Sequence, residues 1–155
     1  MTELDDELSP EDELRDLLET LVEAFGVDAQ IVTTVGAEEI RGAIEGPGAQ
    51  AFLIDDGAVI EAVQHLAQRI VLRGAGGLRV IVDAGGYRAR REAALRDEAD
   101  RAAERVMSEG QEVALSAMPA AERRYVHEYL RERGDVATHS EGDEPNRRLV
   151  VSPPD

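Results

Sequence analysis

With 155 residues and 16.8 kDa, the chain can build one ordinary domain or two very small ones. It has no cysteine, which excludes disulfides, thiolate metal sites and cysteine nucleophiles, and aromatic residues are only 3%, so the core is aliphatic. The net charge of −16 argues at first sight against a nucleic-acid ligand.

Residues 1–10 read as an acidic tail. Ser9 can cap a helix, Pro10 fits its first position, and Asp12 stands where a capping-box acid belongs. Leu14, Leu17, Leu18, Leu21, Val22 and Phe25 then share one helix face, which Gly26 ends. Ala29 to Val35 and Ile40 to Glu45 alternate as two strands of a hairpin. Gly46-Pro47-Gly48 breaks it, and a short apolar piece, Ala49 to Ile54, leads to Asp55-Asp56-Gly57. A helix follows with Val59, Ile60, Val63, Leu66, Ala67, Ile70 and Val71 on one face. Gly74-Ala75-Gly76-Gly77 reads as a turn, and Leu78 to Val82 as a buried strand.

Gly85-Gly86 opens a long Ala- and Arg-rich helix over about residues 87–109, stopped by Gly110. Glu112 to Leu115 is a strand candidate, and Pro119 starts a helix that runs to about Arg133 and Gly134. Val136 to His139 and Arg147 to Val151 read as closing strands around the polar loop Ser140 to Asn146. The fold class is therefore α+β with two small domains. The first, α-β-β-α-α-β, covers residues 11–84, and the second, β-α-β-β, covers residues 111–152. A long helix within residues 85–110 joins them.

The pattern offers little for catalysis. His65, His127 and His139 lack zinc-ligand spacing, and neither a Gly-x-Ser-x-Gly elbow nor a phosphate-loop signature is present. Gly74 to Gly77 follow a helix and precede a strand, the reverse of a dinucleotide fingerprint. Asp55-Asp56 is a lone acid pair, the kind that is usually solvated. No catalytic residue, metal or cofactor is expected. No apolar run reaches the ~20 residues of a membrane span, and the acidic N-terminus lacks the n- and h-regions of a signal peptide. A cytoplasmic protein without membrane insertion is expected.

Charge is unevenly spread. Residues 1–63 hold 17 acidic side chains against Arg15 and Arg41, whereas the remaining 15 arginines are nearly balanced by 16 acids. There is no lysine. Arginine offers a planar fork for phosphate and a face for base stacking. On the helix after Pro119, Arg123, Arg124, His127 and Arg131 project to one side while Val126 and Leu130 face the core. Two arginines beside an imidazole supply the convergent donors that a phosphate needs. The bland alternative is a solvated Arg/Glu face with pairs such as Arg124–Glu128. Tyr125 and Tyr129 are read as packing residues or base stackers. Arg88, Arg90 and Arg91 are read as an anion cluster or as partners of the acidic half.

These residues resemble a known family. The Arg-x-x-x-His pair at Arg123 and His127 is preceded by Pro119 and Glu122, and the run from Ser140 to Arg148 follows. This pattern resembles the domain named for that spacing, the R-three-H domain. Asp83-Ala84-Gly85-Gly86-Tyr87-Arg88-Ala89-Arg90-Arg91-Glu92 resembles the link between domains in the bacterial Jag (SpoIIIJ-associated) family. Gly57 to Leu66 resembles the second helix of that family's KH domain.

The resemblance covers about residues 12–152 and implies a KH-like domain followed by an R-three-H-like one. It implies cytoplasmic binding of single-stranded nucleic acid, chiefly RNA, with single-stranded DNA as the second candidate. By the same resemblance, Arg123 and His127 contact phosphate or base, Arg124, Arg147 and Arg148 assist, and Gly57 is the KH position. Ile54-Asp55-Asp56-Gly57 stands in place of the KH family's Gly-x-x-Gly loop. Each of its two carboxylates would repel a phosphate by roughly 3 kcal/mol at ~5 Å and an effective dielectric of ~20. The alternative function is an adaptor whose acidic KH-like half has lost RNA binding and binds a basic protein partner or the chain's own arginine face. Substitution of Arg123 or His127 is expected to weaken binding while leaving the fold intact.

Overall fold

The computed structural model describes residues 8–71, 73 and 77–154. The expected acidic tail up to residue 7 and the glycine turn at Gly74, Ala75 and Gly76 lie outside the described residues. The chain divides into two compact units, one ending at Arg88 and the other beginning at Ala89.

The first unit starts with α1, Pro10–Phe25. The Ser9 hydroxyl accepts from the Asp12 backbone N–H at 3.2 Å and donates to the Asp12 carboxylate at 2.7 Å, which satisfies the helix start. Gly26 closes the helix in the left-handed region at φ 65°. Strands β1, Gln30–Val35, and β2, Glu39–Glu45, pair antiparallel, and β3, Arg79–Ala84, adds parallel to β2. The sheet order is β1-β2-β3. Gly42 is required in β2, because a Cβ there would lie 2.5 Å from Leu18 and 3.1 Å from Leu14 of α1. The short apolar piece after Gly46 forms a 3-10 helix, Pro47–Phe52.

Helix α2, Ile54–Val71, contains a break: Asp55, Asp56 and Gly57 all have positive φ, and regular helix follows them. Ile60, Val63, Ala67 and Val71 are buried against Leu14, Leu18, Ile40, Ile44, Val80 and Val82. Leu66, expected on this face, is 41% exposed. Gln64, one turn after Ile60, is buried in its stead. Its amide donates to the Val80 carbonyl at 2.5 Å and accepts from the Val82 N–H at 2.7 Å. Burying a polar side chain there satisfies backbone groups of an edge strand that would otherwise be orphaned.

The second unit takes most of α3, Tyr87–Glu109, followed by β4, Val113–Ala117, α4, Ala120–Arg133, β5, Ala137–Glu141, and β6, Arg148–Ser152. Its sheet is antiparallel in the order β4-β6-β5. Ala99, Ala102 and Ala103 give α3 a small-residue face that packs with Leu95 and Val106 on Leu115, Val126, Leu130, Leu149 and Val151. Burying a leucine such as Leu130, fully inaccessible here, contributes on the order of 2 kcal/mol. The closing strands extend beyond their apolar residues: the β5–β6 ladder runs from Ala137↔Ser152 to Glu141↔Arg148. Polar Ser140 and Glu141 belong to it because the neighbouring strand satisfies their backbone groups.

Candidate nucleic-acid interface

Helix α4 carries Arg123, Arg124, His127 and Arg131 of the basic side chains singled out from the sequence. Pro119 stands at its N-cap, and Gly134 ends it at φ 77°, its N–H bonded to the Leu130 carbonyl at 3.2 Å. Val126 and Leu130 face the core, as their spacing predicts. The rest of the expected face divides. Arg124 is 81% exposed and makes the i,i+4 pair with Glu128 at 3.0 Å. Arg123 is only 8% exposed. Its guanidinium donates to the Met118 carbonyl at 2.7 Å and to Glu144 at 2.6 Å. Arg123 precedes Val126 and Leu130 by three and seven positions, so it lies along the apolar stripe. The expectation that Arg123 projects away from the core beside Arg124, His127 and Arg131 is corrected accordingly: it is buried and ties α4 to the loop before β6.

Beside α4 lies an open cleft of about 410 Å³. Arg123, Arg124, His127 and Ala120 form its helical wall, Arg147 and Leu149 contribute from the start of the last strand, and Thr138, His139 and Ser140 of β5 form the opposite wall. Among the described residues that line it, none is acidic. His127 Nδ1 is 2.5 Å from the Thr138 hydroxyl, which fixes the ring and leaves Nε2 as the nitrogen for a ligand. Arg147 donates to the Gly142 carbonyl at 3.0 Å. Four of the expected residues, Arg123, Arg124, His127 and Arg147, therefore share one cleft. Arg148 does not line it; its guanidinium is 3.5 Å from Glu141, its partner across the β5–β6 ladder. The β5 wall escapes a reading of the sequence. β5 is an edge strand, and a cleft that wraps a sheet edge draws on consecutive residues from both faces.

The tyrosines of α4 point elsewhere. Arg96 lies 5.7 Å from the Tyr125 ring centre and 5.9 Å from that of Tyr129, and it donates to the Tyr125 hydroxyl at 2.5 Å. Tyr129 donates to the Asp100 carboxylate at 3.0 Å, a bond that raises its phenol above the ordinary tyrosine range. Both rings pack partly buried against the unit's core, the packing alternative. In the connecting helix, Arg91 forms a forked pair with Glu122, at 2.9 and 2.8 Å.

In the first unit, the loop Ile54-Asp55-Asp56-Gly57 takes a different form. Ile54 is 55% exposed, and Asp55 and Asp56 adopt left-handed backbone angles, φ 52° and 53°, that cost a non-glycine residue about 1–2 kcal/mol each. Gly57, at φ 84°, is buried, and the Tyr87 ring sits where its Cβ would be. The Tyr87 hydroxyl donates to the Asp56 carbonyl at 2.8 Å. Arg88 donates to the Val82 carbonyl at 2.8 Å and to Glu61 at 2.9 Å. Gly57, expected as a KH contact position, thus faces a side chain of its own unit.

Among the described residues, no group of three metal-ligating side chains occurs, and no helix is long and apolar enough to cross a membrane.

The family model of the R-three-H domain matches residues 93–153, the segment that builds the cleft. Across the longer chain, the protein named RNA-binding protein KhpB of Lactiplantibacillus plantarum is 33% identical over 140 residues, 90% of this chain and 44% of that protein. The protein of the same name from Bacillus subtilis is 27% identical over 155 residues, 98% of this chain and 74% of its own length. That of Streptococcus pneumoniae is 28% identical over 135 residues, covering 86% of this chain and 41% of the relative. The chain thus spans less than half the length of two of these relatives. The chain is similar along nearly its whole length to proteins named RNA-binding protein KhpB, and its second unit matches the R-three-H domain.

Proposed function

We propose that this protein binds single-stranded nucleic acid, chiefly RNA, in the cleft between α4 and β5, and that it does so in the cytoplasm without a catalytic step. The observation that carries the reading is the composition of the cleft: three arginines and two imidazoles, with no acidic residue among its described lining. The relatives' name, RNA-binding protein, supports it. Among the described residues, Arg124 is held by Glu128 and Arg147 by the Gly142 carbonyl, partners they can leave for a phosphate. A charge-assisted fork on phosphate is the stronger bond. Arg123, anchored at both ends of its guanidinium, shapes the cleft and adds positive potential. His127 presents Nε2. A single strand suits an open cleft because its phosphates and bases are accessible together.

The test is anisotropy of a fluorescein-labelled uridine decamer with the full chain across a salt series. Arg124→Ala with Arg147→Ala should weaken binding at least tenfold and flatten the log-affinity versus log-salt slope by about 0.7 for each arginine–phosphate pair removed. Unchanged affinity and slope would refute the cleft as the site.

A second reading, an acidic adaptor for a basic protein, is favoured by the exposed Asp55 and Asp56 beside a Gly57 that Tyr87 covers. Binding of an arginine-rich peptide together with no binding of the decamer would place it first.

A further inference from the structure

The two walls of the cleft differ in chemistry. The helical wall and the start of the last strand carry Arg123, Arg124, His127 and Arg147, while β5 presents the uncharged hydroxyl of Ser140 and the ring of His139. We infer that the β5 wall reads a base: His139 stacks on one nucleobase while the arginines opposite hold the adjoining phosphates. The inference rests on the nucleic-acid reading above and adds to it which part of the nucleotide β5 recognises.

It follows from a census of flat rings in the second unit. Stacking on an aromatic ring is the usual way a protein holds an unpaired base. Tyr125 and Tyr129 are occupied by Arg96 and Asp100 and do not line the cleft. The His127 ring is pinned to Thr138. The His139 ring is exposed, lines the cleft, and makes no side-chain hydrogen bond among the described residues. The volume of about 410 Å³ is within the range of roughly 300–1,000 Å³ of small-molecule pockets and suits one nucleotide. β5 is also the edge of its sheet, so its outer backbone groups and the Ser140 hydroxyl can meet the base edge.

The experiment compares two fluorescein-labelled probes of equal phosphate charge on the full chain: a uridine decamer and an abasic ribose decamer. Wild type should bind the base-bearing probe at least about fivefold more tightly, as expected for one stacked base. That ratio should fall towards one in His139→Ala and return in His139→Tyr, which keeps a flat ring. Thermal melts of both variants check that the fold is retained. Equal binding of the two probes by wild type overturns the inference while leaving the phosphate-docking site standing. A ratio unchanged in His139→Ala overturns it as well. Failure of wild type to bind either probe removes the nucleic-acid reading and this inference with it.

Discussion

The Ile54–Gly57 loop of the first unit and the α4–β5 cleft of the second invite comparison, since both stand where the family resemblance expects nucleic-acid contacts. The loop presents two exposed carboxylates on a left-handed backbone, and its glycine is covered by Tyr87. The cleft presents arginines whose present partners are the helix-surface Glu128, the loop residue Glu144 and backbone carbonyls. Net charge distinguishes neither: a chain at −16 still concentrates cations in a cleft whose described lining holds no acidic residue. What separates the two regions is whether a donor is reachable. Arg124 is paired yet 81% exposed, whereas Gly57 is buried although it adjoins two exposed residues.

The largest effect that sharpens this contrast is Gly57→Ala. A Cβ at φ 84° would be strained and would collide with the Tyr87 ring, so the first unit should lose about 2 kcal/mol or more of stability. Urea denaturation measures it, and a wild-type midpoint would mean that Tyr87 does not hold the loop closed. Next comes Arg123→Ala. The Met118 carbonyl would lose a charged donor and Glu144 its partner, a loss of about 1–3 kcal/mol in the second unit by the same measurement. A variant that unfolds like wild type but binds RNA poorly would return Arg123 to the role of a free ligand contact.

A smaller effect is expected of Asp55→Asn with Asp56→Asn. Because Gly57 faces Tyr87, neutralising the loop should raise decamer affinity less than about twofold in about 0.15 M salt, where screening acts over about 8 Å. A tenfold gain would break the comparison, since the loop would then be a repelled but intact binding site. The smallest effect concerns acid stability. The hydrogen bond from Arg41 holds the Glu39 carboxyl below the usual glutamate range. Its contribution is therefore present above the unfolded-state value of about 4.3 and fades as pH falls through the lower folded value. Glu39→Gln should flatten the acid limb of the stability profile slightly; an unaltered limb would show that this exposed pair contributes nothing.

Much of this architecture can be read in the chain because punctuation residues act locally. Ser9, Pro10 and Gly26 bound α1, and Gly85-Gly86 and Gly110 bracket α3 closely. The pair Arg124–Glu128 follows from helical spacing alone. Strand ends are harder, because Glu141 and Ser152 join a ladder through a neighbour's backbone and not through their own polarity. The site is partly legible. Its helix face is visible, but Arg123's burial depends on Glu144 arriving from a distant loop, although its spacing to Val126 and Leu130 already places it on the apolar stripe. Thr138 to Ser140 carry no spacing signal, since only the return of β5 beside α4 brings them to the cleft. The closure of the loop by Tyr87 is likewise tertiary, made between residues far apart along the chain.

The most direct measurement is a two-dimensional amide NMR titration of the full 15N-labelled chain with an unlabelled uridine decamer. Chemical-shift changes should centre on Arg124, His127, Thr138 to Ser140 and Arg147, with the amides of Asp55, Asp56 and Gly57 unmoved. Shifts concentrated at Asp55 to Gly57, with the α4–β5 cleft silent, would contradict it.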